Sequence, residues 1–215
     1  MGLIRNLAVR LIHRIEEIPQ RGFPEFREYP SDFDRQYHVK TSGIVWLTNP
    51  FSKNFSHGIR YQACSPEACR WAIDSANIDV KEFWFVDMGC GKGRALIVAS
   101  FYDFAHVIGV DYSERLCRQA RANLARCGVD SERCEVVCTD ATTYDFPDRN
   151  LFVFLNNPFD AQTIRVVLER LRSHGSALFV AFAGAGRVEL QTMEWLLQVG
   201  GGPDIDLFSN RLVSS

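Results

Sequence analysis

Short apolar runs alternate with amphipathic segments from residue 65 onward. Helix-start signals mark some of these segments, since Ser65 and Ser113 each precede an acidic first turn. Five runs rich in branched and aromatic residues predict buried strands, within residues 83–86, 107–111, 134–142, 151–160 and 177–184. Strands that alternate with helices predict a mostly parallel sheet with right-handed crossovers.

The end of the chain limits how far this sheet extends. The pattern predicts a last helix over residues 187–200, so only residues 201–215 remain for further strands. One short strand or a cramped hairpin fits there, which gives six or seven strands. We therefore predict an α/β fold, a doubly wound, Rossmann-like, mostly parallel sheet with helices on both faces.

The N-terminal third of the sequence predicts one helix followed by a long irregular stretch. Apolar residues at helical spacing predict an amphipathic helix within residues 1–19, which contacts its own domain, a partner subunit or a membrane surface. Residues 19–60 carry four prolines, many aromatics and no sustained period, which predicts an irregular cover over a ligand cleft. This gives two parts, a helical and irregular extension or lid at 1–80 and a ligand-binding domain at 81–215.

Composition excludes several classes of protein. A chain of 215 residues with 47% hydrophobic content can bury one sizeable core. A net charge of −2 supplies no basic field for duplex binding, which makes nucleic acid an unlikely partner. Seven scattered cysteines without a C-x-x-C pair predict reduced thiols and no metal site. Without an apolar run of membrane-spanning length or a signal-peptide core, we expect a cytoplasmic protein.

The stretch "FVDMGCGKGRALIVAS", residues 85–100, places three glycines between a predicted strand and a predicted helix. Such a turn brings backbone close to a ligand at the carboxyl end of the strand. Gly89, Gly91 and Gly93 depart from the dinucleotide pattern G-x-G-x-x-G, because the sixth position is Arg94. Asp87 lies two residues before the first glycine, where its carboxylate would repel a pyrophosphate and attract a cation.

The sequence Asp-Met-Gly-Cys-Gly-Lys-Gly at 87–93 resembles the first motif of the class I S-adenosylmethionine-dependent methyltransferases, whose ligand carries an ammonium and a sulfonium. Further motifs follow in the expected order, and the resemblance covers residues 83–183. It implies that Asp87 and the three glycines bind the cofactor, S-adenosyl-L-methionine. It also implies that Asp111 accepts hydrogen bonds from both ribose hydroxyls, and that Asp140 and the following amide recognise the adenine edge.

The stretch "LFVFLNNPFD", residues 151–160, is similar to the N-P-P-F/Y motif of amine-directed methyltransferases. Read this way, the side-chain carbonyl of Asn157, or secondly that of Asn156, orients an acceptor amine, and Phe159 offers a face for stacking or cation–π contact. The alternative is a plain turn, because Asn before Pro is common in turns.

The stretch "GIRYQACSP", which leads into the helix that Ser65 is predicted to cap, resembles a segment of certain lysine methyltransferases. In those enzymes the segment folds over the methionine end of the cofactor. Tyr61 therefore either contacts the cofactor or is a core aromatic. The layout is similar to that of the non-SET lysine methyltransferases, which implies an acceptor amine on a protein lysine or a small molecule. Two alternatives remain: a non-catalytic cofactor-binding or scaffold protein of the same fold, and an NAD(P)-dependent oxidoreductase, which the glycine spacing disfavours.

Overall fold

The computed structural model describes residues 30–43, 45–46, 60–157, 159–184, 187–202 and 204–210, so the predicted N-terminal helix lies outside it. The helices are α1 (Asp32–Tyr37), α2 (Pro66–Ser75), α3 (Arg94–Ala99), α4 (Glu114–Arg126), α5 (Ala161–Arg172) and α6 (Arg187–Gln191). The strands are β1 (Val45–Trp46), β2 (Arg60–Tyr61), β3 (Phe83–Met88), β4 (His106–Asp111), β5 (Cys134–Cys138), β6 (Asn150–Asn156), β7 (Leu178–Ala183), β8 (Leu197–Gly201) and β9 (Asp206–Ser209).

Strands β3 to β9 form a seven-stranded sheet in the order β5-β4-β3-β6-β7-β9-β8. The five strands that the sequence predicted pair in parallel, whereas β9 runs antiparallel to both of its neighbours. The predicted α/β class is confirmed, with seven strands rather than six.

Helices cover both faces of this sheet, as predicted. On one face, α2, α3 and α4 pack over a core rich in phenylalanine, in which the Phe85 ring stacks on the Phe152 ring at 5.7 Å between centroids. On the other face, α5 and α6 pack on aliphatic side chains of the same strands, such as Val86 and Val153. Central strands buried on both faces explain why their sequences are continuous apolar runs.

One prediction about local structure was wrong. Residues 187–200 are not one helix, because α6 ends at Gln191 and Leu197–Gly201 instead forms strand β8. The edge of β9 offers these residues backbone hydrogen bonds, and tertiary pairing of this kind overrides helical periodicity. Within residues 19–60, the described part contains the short helix α1, which Ser31 caps, and the strand β1, which pairs with β2 as a small ribbon.

The topology places a crevice at one edge of the sheet. Strand β3 connects through α3 to β4 on one side, whereas its other neighbour, β6, connects through α5 to β7 on the opposite side. Where the connections of adjacent parallel strands diverge, ligands bind outside the carboxyl ends of the strands. The glycine turn after β3 and the Asn156–Asn157 pair at the end of β6 both lie at this point.

Candidate functional site

The glycine turn after β3 depends on backbone angles that only glycine adopts without strain. Gly89, Gly91 and Gly93 have φ values of 85°, 53° and 82°. The amides of Gly89 and Cys90 both donate to the carbonyl oxygen of Val110, at 2.7 and 3.0 Å. The turn is therefore anchored to the end of the neighbouring strand β4.

Two of the glycines also permit close approach of other groups. A Cβ on Gly91 would lie 2.1 Å from Cε2 of Tyr61, and a Cβ on Gly93 would lie 3.1 Å from the Cβ of Ala120 on α4. The missing side chain of Gly91 thus leaves room for the Tyr61 ring. The space at Gly93 lets the turn pack on α4.

Two buried carboxyls, Asp87 and Asp111, lie at the carboxyl ends of β3 and β4. Strand alternation puts both on the sheet face that α3 and α4 cover. Burial, followed by the charge of Asp111, raises the pKa of Asp87 to about 8. Burial also raises the pKa of Asp111 to about 6, although amide hydrogen bonds from Ser113 and Gly91 oppose the shift. Such a pair favours a cation and repels a phosphate.

The hydrogen bonds of Asp111 link the two strand ends. Its Oδ2 accepts from the Gly91 amide at 2.9 Å, and its Oδ1 accepts from the Ser113 amide at 2.8 Å. The structure therefore brings together the glycine turn, Asp87 and Asp111, all of which the sequence predicted to bind the cofactor. The position of Asp111 agrees with contact to a ribose, a role that stays a prediction.

Asp140 lies farther along the same edge, beyond the end of strand β5. Its Oδ1 accepts hydrogen bonds from the amide and the hydroxyl of Thr142, at 2.9 and 2.8 Å. The side chain thereby caps a short 3₁₀ turn at Ala141–Thr143. The capping role gives a structural reason for an aspartate here, and recognition of adenine stays a prediction.

The two asparagines after β6 differ in their environments. Nδ2 of Asn156, a half-buried side chain, donates to the Gln62 carbonyl at 3.3 Å. Asn157 is exposed, has φ 45°, and its amide donates to the Ala183 carbonyl at 2.7 Å. Asn tolerates this left-handed conformation better than most residues, so the backbone supplies a second reason for its presence. Phe159 packs against the core under α5.

Tyr61 connects the glycine turn to the N-terminal region. Its ring, which is 7% exposed, lies on Gly91, and its hydroxyl donates to the carbonyl of Thr41 at 2.6 Å. The ammonium of Lys92 is 5.0 Å from the centroid of the ring. Tyr61 is therefore a buried aromatic that covers the glycine turn, and its contact with the cofactor stays a prediction.

Sequence reasoning missed Arg94 and Asp34 as contributors to this region. The two side chains are buried and form an ion pair at 3.5 Å between Nη2 and Oδ1. One signal was available, because Arg94 is the only charged residue in the helix sequence RALIVA, all of which is buried. A buried arginine needs a partner, which the sequence could not identify.

Other features of the described residues bear less on the site. All seven cysteines are free thiols, and five of them are buried. Within residues 30–43, 45–46, 60–157, 159–184, 187–202 and 204–210, no helix is long and apolar enough to cross a membrane. The same ranges contain no cluster of histidine, cysteine or acidic side chains that could hold a metal ion.

Several solved structures resemble this chain. An RNA methyltransferase from Salinibacter ruber, solved with S-adenosyl-L-homocysteine, is 17% identical, with a TM-score of 0.50 over 69% of this chain and 92% of that one. The YcgJ protein from Bacillus subtilis is 18% identical (TM-score 0.47; 56% of this chain, 52% of that one). A SAM-dependent methyltransferase from Geobacter sulfurreducens, solved with S-adenosyl-L-homocysteine, is 21% identical (TM-score 0.42; 55% and 48%).

The chain thus spans about half the length of the Bacillus and Geobacter proteins. No curated protein sequence matches it. Residues 85–175, however, match the family model described as a methyltransferase domain. These residues are therefore similar to a methyltransferase domain, and the seven-stranded sheet that contains them agrees with the fold of the class I S-adenosylmethionine-dependent methyltransferases.

Proposed function

We propose that this protein transfers the methyl group of S-adenosylmethionine to an amine nitrogen, on a protein lysine or on a small molecule. The observation that carries the proposal is the buried pair Asp87 and Asp111 beside a glycine turn. Asp111 carries the negative charge at neutral pH, and a bound cation would favour ionisation of Asp87 as well, so the pair attracts the ammonium and sulfonium of this cofactor. The phosphates of a nicotinamide cofactor would be repelled there, which is why we disfavour the oxidoreductase alternative.

The residues of this chain have separate tasks in the proposed reaction. The cofactor supplies a methyl group on a positively charged sulfur. Asp87 attracts the positive charge, and Asp111 accepts the ribose hydroxyls. The glycine turn lets the backbone approach the ligand closely. The reaction then needs only an acceptor that is held close and correctly directed, since a well-aligned displacement gains most from positioning.

The proposal that the methyl acceptor is a nitrogen rests on the asparagines at the end of β6. A side-chain carbonyl that accepts an N–H bond directs the amine lone pair away from itself, toward the methyl group. Asn157 is our first choice because its side chain is exposed at the topological switch point. Asn156 is second, because its Nδ2 already donates to Gln62.

A variant series at Asn157 tests this role. We expect Asn157→Gly to lower turnover by about a hundredfold, the scale for removal of one preorganised polar group, while the affinity for S-adenosylhomocysteine stays within about threefold. Glycine keeps the left-handed backbone, whereas alanine would add strain. Asn157→Asp should recover part of the turnover, because it keeps both a hydrogen-bond acceptor and tolerance of this conformation.

A matched control exists at Asn77, which is also exposed and left-handed at φ 48° but follows α2, at the opposite edge of the sheet. Asn77→Gly should leave turnover unchanged. The acceptor is found first, by transferring labelled methyl groups into a cell lysate and identifying the labelled atom. Label on carbon or oxygen would end the amine part of the proposal and leave the methyltransferase part standing. Cofactor binding without any transfer would favour the scaffold alternative.

A further inference from the structure

Residues Pro30–Gly43, here called the strap, pack beside the glycine turn. Phe33 and Val39 of the strap are buried in the core under α3 and α4. The backbone of Lys40 is bound by the amide side chain of Asn123, which also donates to the Lys92 carbonyl at 2.9 Å. The strap thus shares hydrogen bonds with both α4 and the glycine turn.

The guanidinium of Arg94 makes most of the polar contacts between the strap and α3. Nε donates to Oγ1 of Thr41 at 2.7 Å, and Nη2 donates to Oγ of Ser31 and of Ser42, at 3.1 and 3.0 Å. Nη1 donates to the carbonyl of Cys64, the segment that follows Tyr61, at 3.1 Å. One side chain, 8% exposed, therefore joins three parts of the chain.

Asp34 of the strap is the acidic partner of Arg94. It accepts hydrogen bonds from the amides of Thr41 and Ser42, the latter at 2.8 Å, and pairs with Arg94 at 3.5 Å. Burial alone would raise the pKa of Asp34, but hydrogen bonds from Thr41 and Ser42 outweigh it and hold the pKa below its usual value. A buried ion pair adds little net stability over apolar packing, but its hydrogen bonds fix geometry.

The strap in turn fixes the side chain on the glycine turn. The Thr41 carbonyl accepts from the Tyr61 hydroxyl, and the Ser42 carbonyl accepts from the Lys92 ammonium. The Tyr61 ring then lies directly on Gly91. A continuous path of contacts leads from Arg94 through Thr41 and Tyr61 to Gly91.

We propose that Arg94 is a positioning residue for cofactor binding, which holds the strap so that Tyr61 stays fixed over Gly91. The proposal rests on the proposed function, since it takes the glycine turn as the cofactor site. Without Arg94, the strap keeps its apolar contacts but loses its orientation, so a cofactor must then order Tyr61 as it binds. A ligand that orders its own site binds more weakly.

The first test measures the affinity for S-adenosylhomocysteine by calorimetry on the full chain. We expect Arg94→Met to weaken binding by about tenfold and Tyr61→Phe, which removes the hydroxyl bond but keeps the ring, by about threefold. Because both act along one path, the double variant should bind no more weakly than Arg94→Met alone. Fully additive effects would overturn the proposal.

Arg133→Met is a control for the loss of an arginine, because Arg133 is exposed and donates to the backbone carbonyls of Tyr102 and Phe104, away from the glycine turn. Its affinity for S-adenosylhomocysteine should equal that of the wild type. If Arg94→Met does not fold, Arg94→Lys replaces it in the single and double variants. The lysine ammonium keeps the charge but cannot make all the hydrogen bonds of the guanidinium. Wild-type affinity in folded Arg94→Lys would overturn the proposal.

The second test uses the empty protein and separates this inference from the proposed function. Hydrogen exchange at the amides of Lys40, Thr41 and Ser42, all bound by side-chain oxygens, should be at least about tenfold faster in Arg94→Met than in the wild type. Unchanged exchange would mean that Arg94 does not hold the strap and would overturn the inference. If exchange is faster in Arg94→Met but the wild type binds no S-adenosylhomocysteine, the proposed function is refuted and, with it, the link to cofactor affinity.

Discussion

Replacing Asp87 by Asn should stabilise the empty protein, by an amount that grows with pH. The pKa of this carboxyl is about 8 in the fold, against 3.8 in the unfolded chain. Between these values, the folded state holds a proton that the unfolded chain lacks. The free energy of unfolding of the wild type therefore falls as pH rises, by at most about 1.4 kcal/mol per pH unit for this group.

The window from about pH 6.5 to about pH 8 isolates Asp87, because the pKa of the neighbouring Asp111 is about 6. Over this window, the stability of Asp87→Asn relative to wild type should rise by about 1 to 2 kcal/mol. Asn has nearly the same shape and does not titrate. The stabilisation is lost at low pH, where the wild-type carboxyl is protonated in both states.

Urea unfolding at several pH values measures this difference. Asp103→Asn is the control, since it makes the same substitution at an exposed position. Its difference from wild type should stay constant with pH. If the difference for Asp87→Asn were equally constant, the reasoning that Asp87 is a strained, protonated carboxyl in the empty site would be refuted.

Two further predictions concern the same turn. Binding of S-adenosylhomocysteine at pH 7 should release more protons from the wild type than from Asp87→Asn, because the ligand ammonium lowers the raised pKa of Asp87. Calorimetry in two buffers of different ionisation enthalpy measures the proton release. Equal release from the two proteins would contradict the prediction. Gly91→Ala should lower the affinity for S-adenosylhomocysteine and the thermal stability more than Gly128→Ala does. Both glycines have positive φ, but only a Cβ on Gly91 would meet Tyr61. Equal losses of affinity and thermal stability would mean that backbone strain alone matters.

The sequence predicted the parts of the fold that local pattern determines. The five parallel strands, the glycine turn and the position of Asp87 follow from apolar runs and glycine spacing, which act over a few residues. The helix expected over residues 187–200 failed because β8 is stabilised by pairing with β9, a contact that periodicity does not encode.

The candidate site shows the same limit. Gly91 is needed for its backbone angle, as expected, but its missing side chain makes room for Tyr61 rather than directly for a ligand. The bond between Arg94 and Thr41 joins residues 53 positions apart, so neither side chain carries a local signal for the other. Long-range polar contacts of this kind need the fold before they can be found.

The anchoring of Asp111 has a consequence for ligand choice. A carboxylate can accept about four hydrogen bonds. The amides of Gly91 and Ser113 use one position on each oxygen. A ribose with both hydroxyls intact brings two donors, which matches the remaining capacity, whereas a 2′-phosphate brings negative charge and a deoxy sugar leaves one position to water. The two backbone amides thus leave the Asp111 carboxylate able to accept two more hydrogen bonds from a ligand.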